Sequence, residues 1–153
     1  MVSLGLLVLR VVVGSIFAIH GYMKVFGGPG KSETVSPEAE RLLGKGFKQQ
    51  LDYGGVENVA GFVQSLGVPY AKPAAIALMA GELLGGLALI LGWHTRLAAL
   101  GLTVGQAVAI QKVHAPHGLI ASGPEGSGYE FNASLVAATV ALTIAGPGKI
   151  AID

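Results

Sequence analysis

Two ionisable residues interrupt stretches that are otherwise apolar and about long enough to cross a lipid bilayer. Arg10 lies near the middle of residues 2–19, and Glu82 lies near the middle of residues 74–91. A charge at membrane depth is costly unless it has a partner, and such residues usually mark ion, proton or ligand sites. We therefore expect Arg10 and Glu82 to meet between the first two membrane helices as the candidate catalytic pair. The alternative is a purely structural ion pair that fixes the register of the two helices.

Further polar side chains are expected near one membrane face. If the chain crosses the membrane four times, the first and third helices end on the face where the second and fourth begin. At 100° per residue, His20 and Lys24 share a sector of the first helix with Arg10. Together these groups predict a polar funnel that runs inward to Arg10 and Glu82. Its expected ligand-binding residues are His20, Lys24, Gln106, His114, Glu130 and Asn132.

Several polar residues also have an ordinary structural explanation. His20 and His114 lie near the expected membrane interfaces, where a histidine is commonly just solvated. Thr139 and Thr143 are expected to hydrogen-bond back to carbonyls of their own helix, which is common for hydroxyls in membrane helices. His94 and Arg96, in the short turn on the opposite face, are expected to be interface anchors.

The composition is that of a membrane protein. Of the 153 residues, 52% are hydrophobic and only 12% are charged, and the apolar residues fall in blocks at 2–19, 74–91, 97–110 and 133–145. We expect one all-α domain over residues 1–153, a four-helix transmembrane bundle with a long, partly helical first loop that caps one face. The expected transmembrane helices are at about 2–22, 73–92, 96–113 and 131–146. The alternative, a soluble bundle, needs polar outer helix faces, which these blocks lack.

The first loop, residues 24–72, is too long to be structureless. Ser36, Pro37 and Glu38 have the form of an N-cap, a proline at the first helical position and an acidic first turn, which predicts a short helix from Pro37 toward Leu51. A second helical repeat is expected further on, before a stop at residues 67–69. Its members are Val56, Val59, Ala60, Val63 and Leu66.

Small residues at four-residue spacing predict where the membrane helices pack most closely. Three such stripes occur, and each would let two backbones approach. They are Ala77, Gly81 and Gly85; Gly101, Gly105 and Ala109; and Ala133, Ala137, Ala141 and Ala145.

Several classes of site are excluded by what the sequence lacks. There is no cysteine, which removes disulfides, thiolate metal sites and covalent haem attachment, and no metal site is expected. A net charge of +1 with no basic run predicts no nucleic-acid partner. Residues 27–32, GGPGKS, end like a phosphate-binding loop, but Val25 stands where the first glycine should be, and a membrane helix precedes them, so no nucleotide site is expected. Residues 1–21 lack a basic start, which favours a retained helix over a signal peptide.

The order of several short motifs resembles the DoxX family of small bacterial membrane proteins. The resemblance covers nearly all of the chain and rests on Leu9-Arg10 with Gly14, HGYMK at 20–24, GGVENVAGFVQSLGVP at 54–69, AGELLGGLALILGWHTRLAAL at 80–100 and GYEFNASLVAATVALTIAGPGKIAID at 128–153. It implies a four-helix, multi-pass protein of the bacterial plasma (inner) membrane. It also implies functional roles for Arg10, His20, Lys24, Glu82, Glu130 and Asn132. The insertion around residues 31–52 departs from the compact family pattern.

Some members of that family are associated with quinone-linked oxidoreductases, thiosulfate oxidation or protection from oxidative stress. The resemblance therefore suggests that quinone is the ligand or cofactor and that the protein is a membrane subunit working with a soluble or membrane oxidoreductase. His20 and Lys24 would donate hydrogen bonds to quinone carbonyls, and Glu82 with Arg10 would relay protons. Haem held by His20 and His114 is an alternative cofactor.

Two other classes of function stay open. The chain is alternatively a non-catalytic membrane anchor or assembly subunit that recruits a soluble enzyme through the long loop, in which case Arg10 and Glu82 serve as scaffold only. Membrane lipid is an expected partner under either hypothesis. A third hypothesis is a small-solute transporter. Four helices leave little room for a transport pathway unless the protein forms a homo-oligomer, and no inverted repeat is present.

Overall fold

The computed structural model describes residues 1–120 and 128–153, and over these residues the chain is all helical, without strands. Seven α-helices follow one another within these described residues. They are α1 (Val2–Phe26), α2 (Pro37–Leu43), α3 (Lys45–Asp52), α4 (Val56–Ser65), α5 (Ala71–Leu91), α6 (Thr95–Ala109) and α7 (Glu130–Ala145). Short 3₁₀ helices at Lys31–Thr34 and Ala115–His117 and a π-helical turn at Ile110–His114 complete the described elements.

Among the described helices, α1 and α5 are long and apolar enough to cross a membrane. They contain 25 and 21 residues, whereas a span needs roughly 20. Only 22% and 33% of their most apolar windows are buried, whereas the core helix of a soluble protein is mostly buried. Large apolar side chains are likewise exposed on the later helices, for example Val104 on α6 and Ile144 on α7. Water-soluble monomers rarely leave so much apolar surface uncovered, so these faces suit lipid.

The described chain divides into two units, of which the first contains Met1–Phe17 and Leu84–Asp153. Its core joins residues of α1, α5, α6 and α7, namely Val13, Phe17, Leu89, Ala99, Leu102, Leu135 and Leu142. Within this unit α1 and α5 approach closely at Gly14, where a Cβ would lie 2.6 Å from the carbonyl oxygen of Gly86. Such a contact admits only glycine, so Gly14 sets the spacing of the two helices here.

The second unit, Ala18–Leu83, contains the long loop. Its core joins α4 to the first half of α5 through Val59, Ala60, Val63, Ala75 and Met79. The helical repeat expected over residues 56–66 is confirmed as α4. The Ser36 cap is also confirmed, because the backbone N–H of Ala39 donates to Ser36 Oγ at 3.2 Å. The single helix expected from Pro37 toward Leu51 is wrong in one respect: Gly44, with φ of 87°, separates α2 from α3.

The glycines of the first two small-residue stripes do not mark close backbone contacts in the way we expected. A Cβ added at Gly81, Gly101 or Gly105 would meet nothing within 4 Å. At Gly85 the nearest atoms would belong to the side chain of Leu102, at 3.2 Å. Residues of this kind on an outward helix face leave a shallow surface but bring no backbones of the described chain together.

Candidate functional site

Lys24 and Glu82 form an ion pair between α1 and α5. Lys24 Nζ donates to Glu82 Oε2, and the two side chains are 29% and 10% exposed. The helices can approach here because Gly21, one turn before Lys24, packs against the backbone of Leu83, where any side chain would collide. A nearly buried carboxylate needs such a cation, because an isolated charge in an apolar setting is strongly unfavourable.

Arg10 has different partners. Its side chain is 1% exposed, Nη1 donates to the carbonyl of Leu89 at 3.4 Å, and Nη2 donates to the carbonyl of Ile150. The expected ion pair between Arg10 and Glu82 is therefore wrong: Lys24 is the cation that Glu82 binds. Lys24 lies on the same helix as Arg10 and reaches Glu82 instead. The polar funnel was built on the Arg10–Glu82 pair, and it is not retained.

His20 lies one helical turn before Lys24 on α1 and is half-buried. Residues four apart share a helix face, which places the imidazole on the side of the ion pair. His20 is close enough to Lys24 and Glu82 to interact electrostatically with both. Of the predicted site residues, the structure thus brings His20, Lys24 and Glu82 together.

A cavity of about 690 Å³ opens beside the ion pair. Lys24 is part of its wall, while the long loop supplies most of the remainder. The cavity is lined by Met23, Lys24, Gln50, Asp52, Tyr53, Gly54, Asn58, Val59 and Phe62. Apolar and aromatic walls with a few polar groups are typical of sites for small organic molecules. Except for Lys24, none of these residues was expected at the site from the sequence.

The loop reaches Lys24 because two glycine pairs bring it back to the end of α1. The N–H of Gly28 donates to the carbonyl of Leu51, and the N–H of Gly55 donates to the carbonyl of Lys24, both at 2.8 Å. Gly27 and Gly54 pack backbone to backbone, and a Cβ on Gly54 would collide with the carbonyl of Met23. We call this junction of residues 27–32 with residues 51–55 the loop clasp. Its signal in the sequence is the two Gly-Gly doublets, which mark close backbone approach.

Asp52 belongs to the same junction. Its Oδ1 accepts a hydrogen bond from the backbone N–H of Ser32 at 2.8 Å. Hydrogen bonding by Ser32, joined by backbone N–H groups of Gly30 and Lys31, lowers the pKa of the Asp52 carboxyl below its ordinary value. The carboxylate is thereby held in its charged form at the cavity wall.

Gln106 and Asn132 form a second polar contact, in the other unit. Asn132 Nδ2 donates to Gln106 Oε1 at 2.7 Å, and this bond joins α6 to α7. Thr103 donates to Thr139 at 2.8 Å between the same helices. Interhelical hydrogen bonds of this kind hold membrane helices together.

The expected back-bonding of the threonines is confirmed. Thr139 donates to the carbonyl of Leu135, and Thr143 donates to the carbonyl of Thr139, both at 2.9 Å. Of the other predicted residues, half-buried His114 ends the π-helical turn after α6, and exposed Glu130 is the first residue of α7. An acidic side chain there is favourable to the helix dipole.

Two charged residues cap helix ends in the unit that contains Arg10. The carboxylate of Asp153 accepts hydrogen bonds from the N–H groups of His94 at 2.7 Å and Thr95 at 3.1 Å, at the start of α6. These bonds lower the pKa of Asp153. Arg96 donates to the carbonyls of Thr143, Ile144 and Ala145 at the end of α7. The role of Asp153 gave no signal in the sequence, because the capping residue is distant along the chain.

Comparison with known proteins agrees with the resemblance seen in the motifs. The DoxX family model matches residues 5–115, a range that includes Arg10, His20, Lys24 and Glu82 and ends before α7. No curated protein and no solved structure matches the chain. Because the family match covers well over half of the chain, and because α1 and α5 are long apolar helices with largely uncovered faces, this membrane protein belongs to the DoxX family.

Proposed function

We propose that this protein is a multi-pass protein of the bacterial inner membrane that binds a quinone or a similar lipophilic redox molecule in the loop-covered cavity. It would work with a partner oxidoreductase in redox or oxidative-stress metabolism. One observation carries the proposal: a mainly apolar cavity of about 690 Å³ has Lys24 in its wall, and the nearly buried Glu82 binds the ammonium of the same residue.

The proposed topology has four spans. α1 and α5 are the first two. α6 has only 15 residues, but the π-helical turn continues it through His114 and gives 20 helical residues in sequence. α7, a mainly apolar helix of 16 residues, is the fourth span and fits a thin or tilted arrangement.

The cavity fits such a ligand in size and in chemistry. Sites for small organic ligands enclose roughly 300–1,000 Å³ and place a few polar groups within apolar walls. Phe62 and Tyr53 offer aromatic surface to a planar ring, and Lys24 offers N–H donors to a carbonyl oxygen. A bound quinone supplies reversible two-electron, two-proton chemistry.

The residues of this chain would bind the ligand and handle protons. Lys24 donates a hydrogen bond at the cavity wall, Glu82 keeps the Lys24 side chain oriented, and His20 adds a titratable imidazole on the same helix face. Electrons would come from the partner, since the chain has no cysteine and no dinucleotide-binding motif. Arg10 has no part in this proposal, because its guanidinium binds backbone carbonyls.

Binding of decylubiquinone and menadione to the purified protein in lipid nanodiscs tests the proposal. We expect saturable binding beyond that of empty nanodiscs, and we expect Lys24→Gln to weaken it about tenfold or more, as for the loss of a charged hydrogen bond. Lys72→Gln is the matched control, because Lys72 pairs with the exposed Glu57 and does not line the cavity. Equal binding by wild type, both variants and empty nanodiscs would rule the proposal out.

A second candidate function, a membrane anchor for a soluble enzyme, is favoured by α2. This helix has no buried residue, and Leu42 on it is 84% exposed, which suits a docking segment. The charge-swapped double variant Lys24→Glu with Glu82→Lys distinguishes the two functions. An anchor would keep its function with the charges exchanged, whereas a quinone site that depends on an ammonium at the cavity wall would lose it.

A further inference from the structure

Residues 27–32 end like a phosphate-binding loop, yet the anion they bind is a side chain of this protein. Gly30, with φ of 79°, turns the backbone at the start of the Lys31–Thr34 3₁₀ helix. The N–H of Ser32 then donates to Asp52 Oδ1 at 2.8 Å. Successive N–H groups in such a turn form a concave anion site, and here the carboxylate occupies it.

Asp52 stands at a position that its own helix does not favour. It is the last residue of α3, where the carbonyl end of the helix dipole opposes a negative charge. Any stabilisation of the folded loop by the Asp52 carboxylate must therefore come from its contact with residues 30–32. The same residue lines the cavity, and it follows Leu51, whose carbonyl accepts the N–H of Gly28.

We propose that Asp52 is the positioning residue of the cavity: its carboxylate, bound by the backbone of residues 30–32, closes the loop clasp and so fixes the wall that faces Lys24. Asp52 does not touch the ligand in this role. The inference rests on the proposed function only where it concerns the ligand, because closure of the loop clasp can be measured without one. The lowered pKa of Asp52 agrees with a carboxylate that stays charged at neutral pH.

Hydrogen exchange of the loop in the full-length protein in nanodiscs, without added ligand, is the first test. We expect Asp52→Ala to speed exchange of the Gly28, Ser32 and Gly55 amides about tenfold or more, since a charge-assisted hydrogen bond is lost. Asp52→Asn should have a smaller effect because its amide oxygen still accepts. Glu57→Gln is the control, because it neutralises an exposed acid outside the clasp. Formate added to Asp52→Ala should restore slow exchange by replacing the carboxylate, and chloride should not.

Binding of decylubiquinone to the same variants is the second test. Asp52→Ala should weaken it severalfold, and formate should restore it. Unchanged exchange in Asp52→Ala would overturn the proposal, and so would faster exchange with unchanged probe affinity. If the wild type itself binds no probe, the proposed function fails, and the exchange measurement alone then decides whether Asp52 closes the loop clasp.

Discussion

Lys24 and Glu82 are each other's partners across α1 and α5, and Lys24 also lines the cavity. Stability and ligand binding therefore depend on the same pair. Glu82→Gln should destabilise the protein by about 1–3 kcal/mol, because the charge of Lys24 loses its partner in a largely apolar setting. Thermal unfolding in nanodiscs measures this loss of stability. Glu57→Gln, at an exposed ion pair, should change the stability by less than about 1 kcal/mol.

A double variant separates the two roles of the pair. Replacing a buried ion pair by apolar residues of similar size is often neutral or stabilising. Lys24→Met with Glu82→Leu should therefore regain the thermal stability lost in Glu82→Gln and still fail to bind decylubiquinone. Tight probe binding by this folded double variant would show that the ammonium of Lys24 is not needed.

Arg10 supports the fold through the end of α5 and the segment after α7. Arg10→Met removes donors from the carbonyls of Leu89 and Ile150 and should cost about 2–4 kcal/mol, as for breaking a buried hydrogen-bond network. Faster proteolysis after residue 146 should accompany the lower unfolding temperature. Probe affinity of the folded fraction should equal that of the wild type. A selective loss of decylubiquinone binding with unchanged stability would instead show that Arg10 belongs to the binding site.

The sequence predicted the helices of the described chain better than their partners. Helical periodicity and the Ser36 cap are local, so α2 and α4 could be located from neighbouring residues alone. The partner of Glu82 could not be identified from neighbouring residues. Arg10 and Lys24 lie on the same helix, and the choice between them depends on where α1 meets α5, which the close contact at Gly21 determines.

The cavity could not be predicted from the sequence for a similar reason. Most of its wall comes from loop residues that are brought to the end of α1 by the close contact of Gly27 with Gly54. The sequence around these glycines does not show which backbone segment each of them contacts. Gly101 and Gly105 belong to the same kind of small-residue pattern, yet a Cβ at either would meet nothing within 4 Å in the described chain. Spacing alone cannot distinguish a glycine that packs from one that faces lipid.

Gly54→Ala tests the close approach within the loop clasp. A Cβ there would collide with the carbonyl of Met23, so residues 51–55 must move away from α1. We expect faster hydrogen exchange at the Gly55 amide, weaker probe binding and a destabilisation of about 1–3 kcal/mol. Gly61→Ala is the matched control, since its Cβ meets nothing within 4 Å and an alanine inside α4 should stabilise the helix by up to about 1 kcal/mol. Equal effects of the two substitutions would contradict a close approach of Gly54 to α1 in the loop clasp.

The Asp153 cap predicts a dependence of stability on pH. Hydrogen bonds from the His94 and Thr95 amides hold the pKa of Asp153 below its ordinary value of 3.8. A carboxyl with a lowered pKa in the folded state contributes stability above its unfolded pKa, and this contribution is lost as the pH falls through the folded value. The unfolding temperature of the wild type should therefore decline below about pH 4. Asp153→Asn should be less stable at pH 7, and the gap between variant and wild type should narrow as the pH approaches 3. A gap that stays constant over this range would mean that the charge of Asp153 contributes nothing to capping α6.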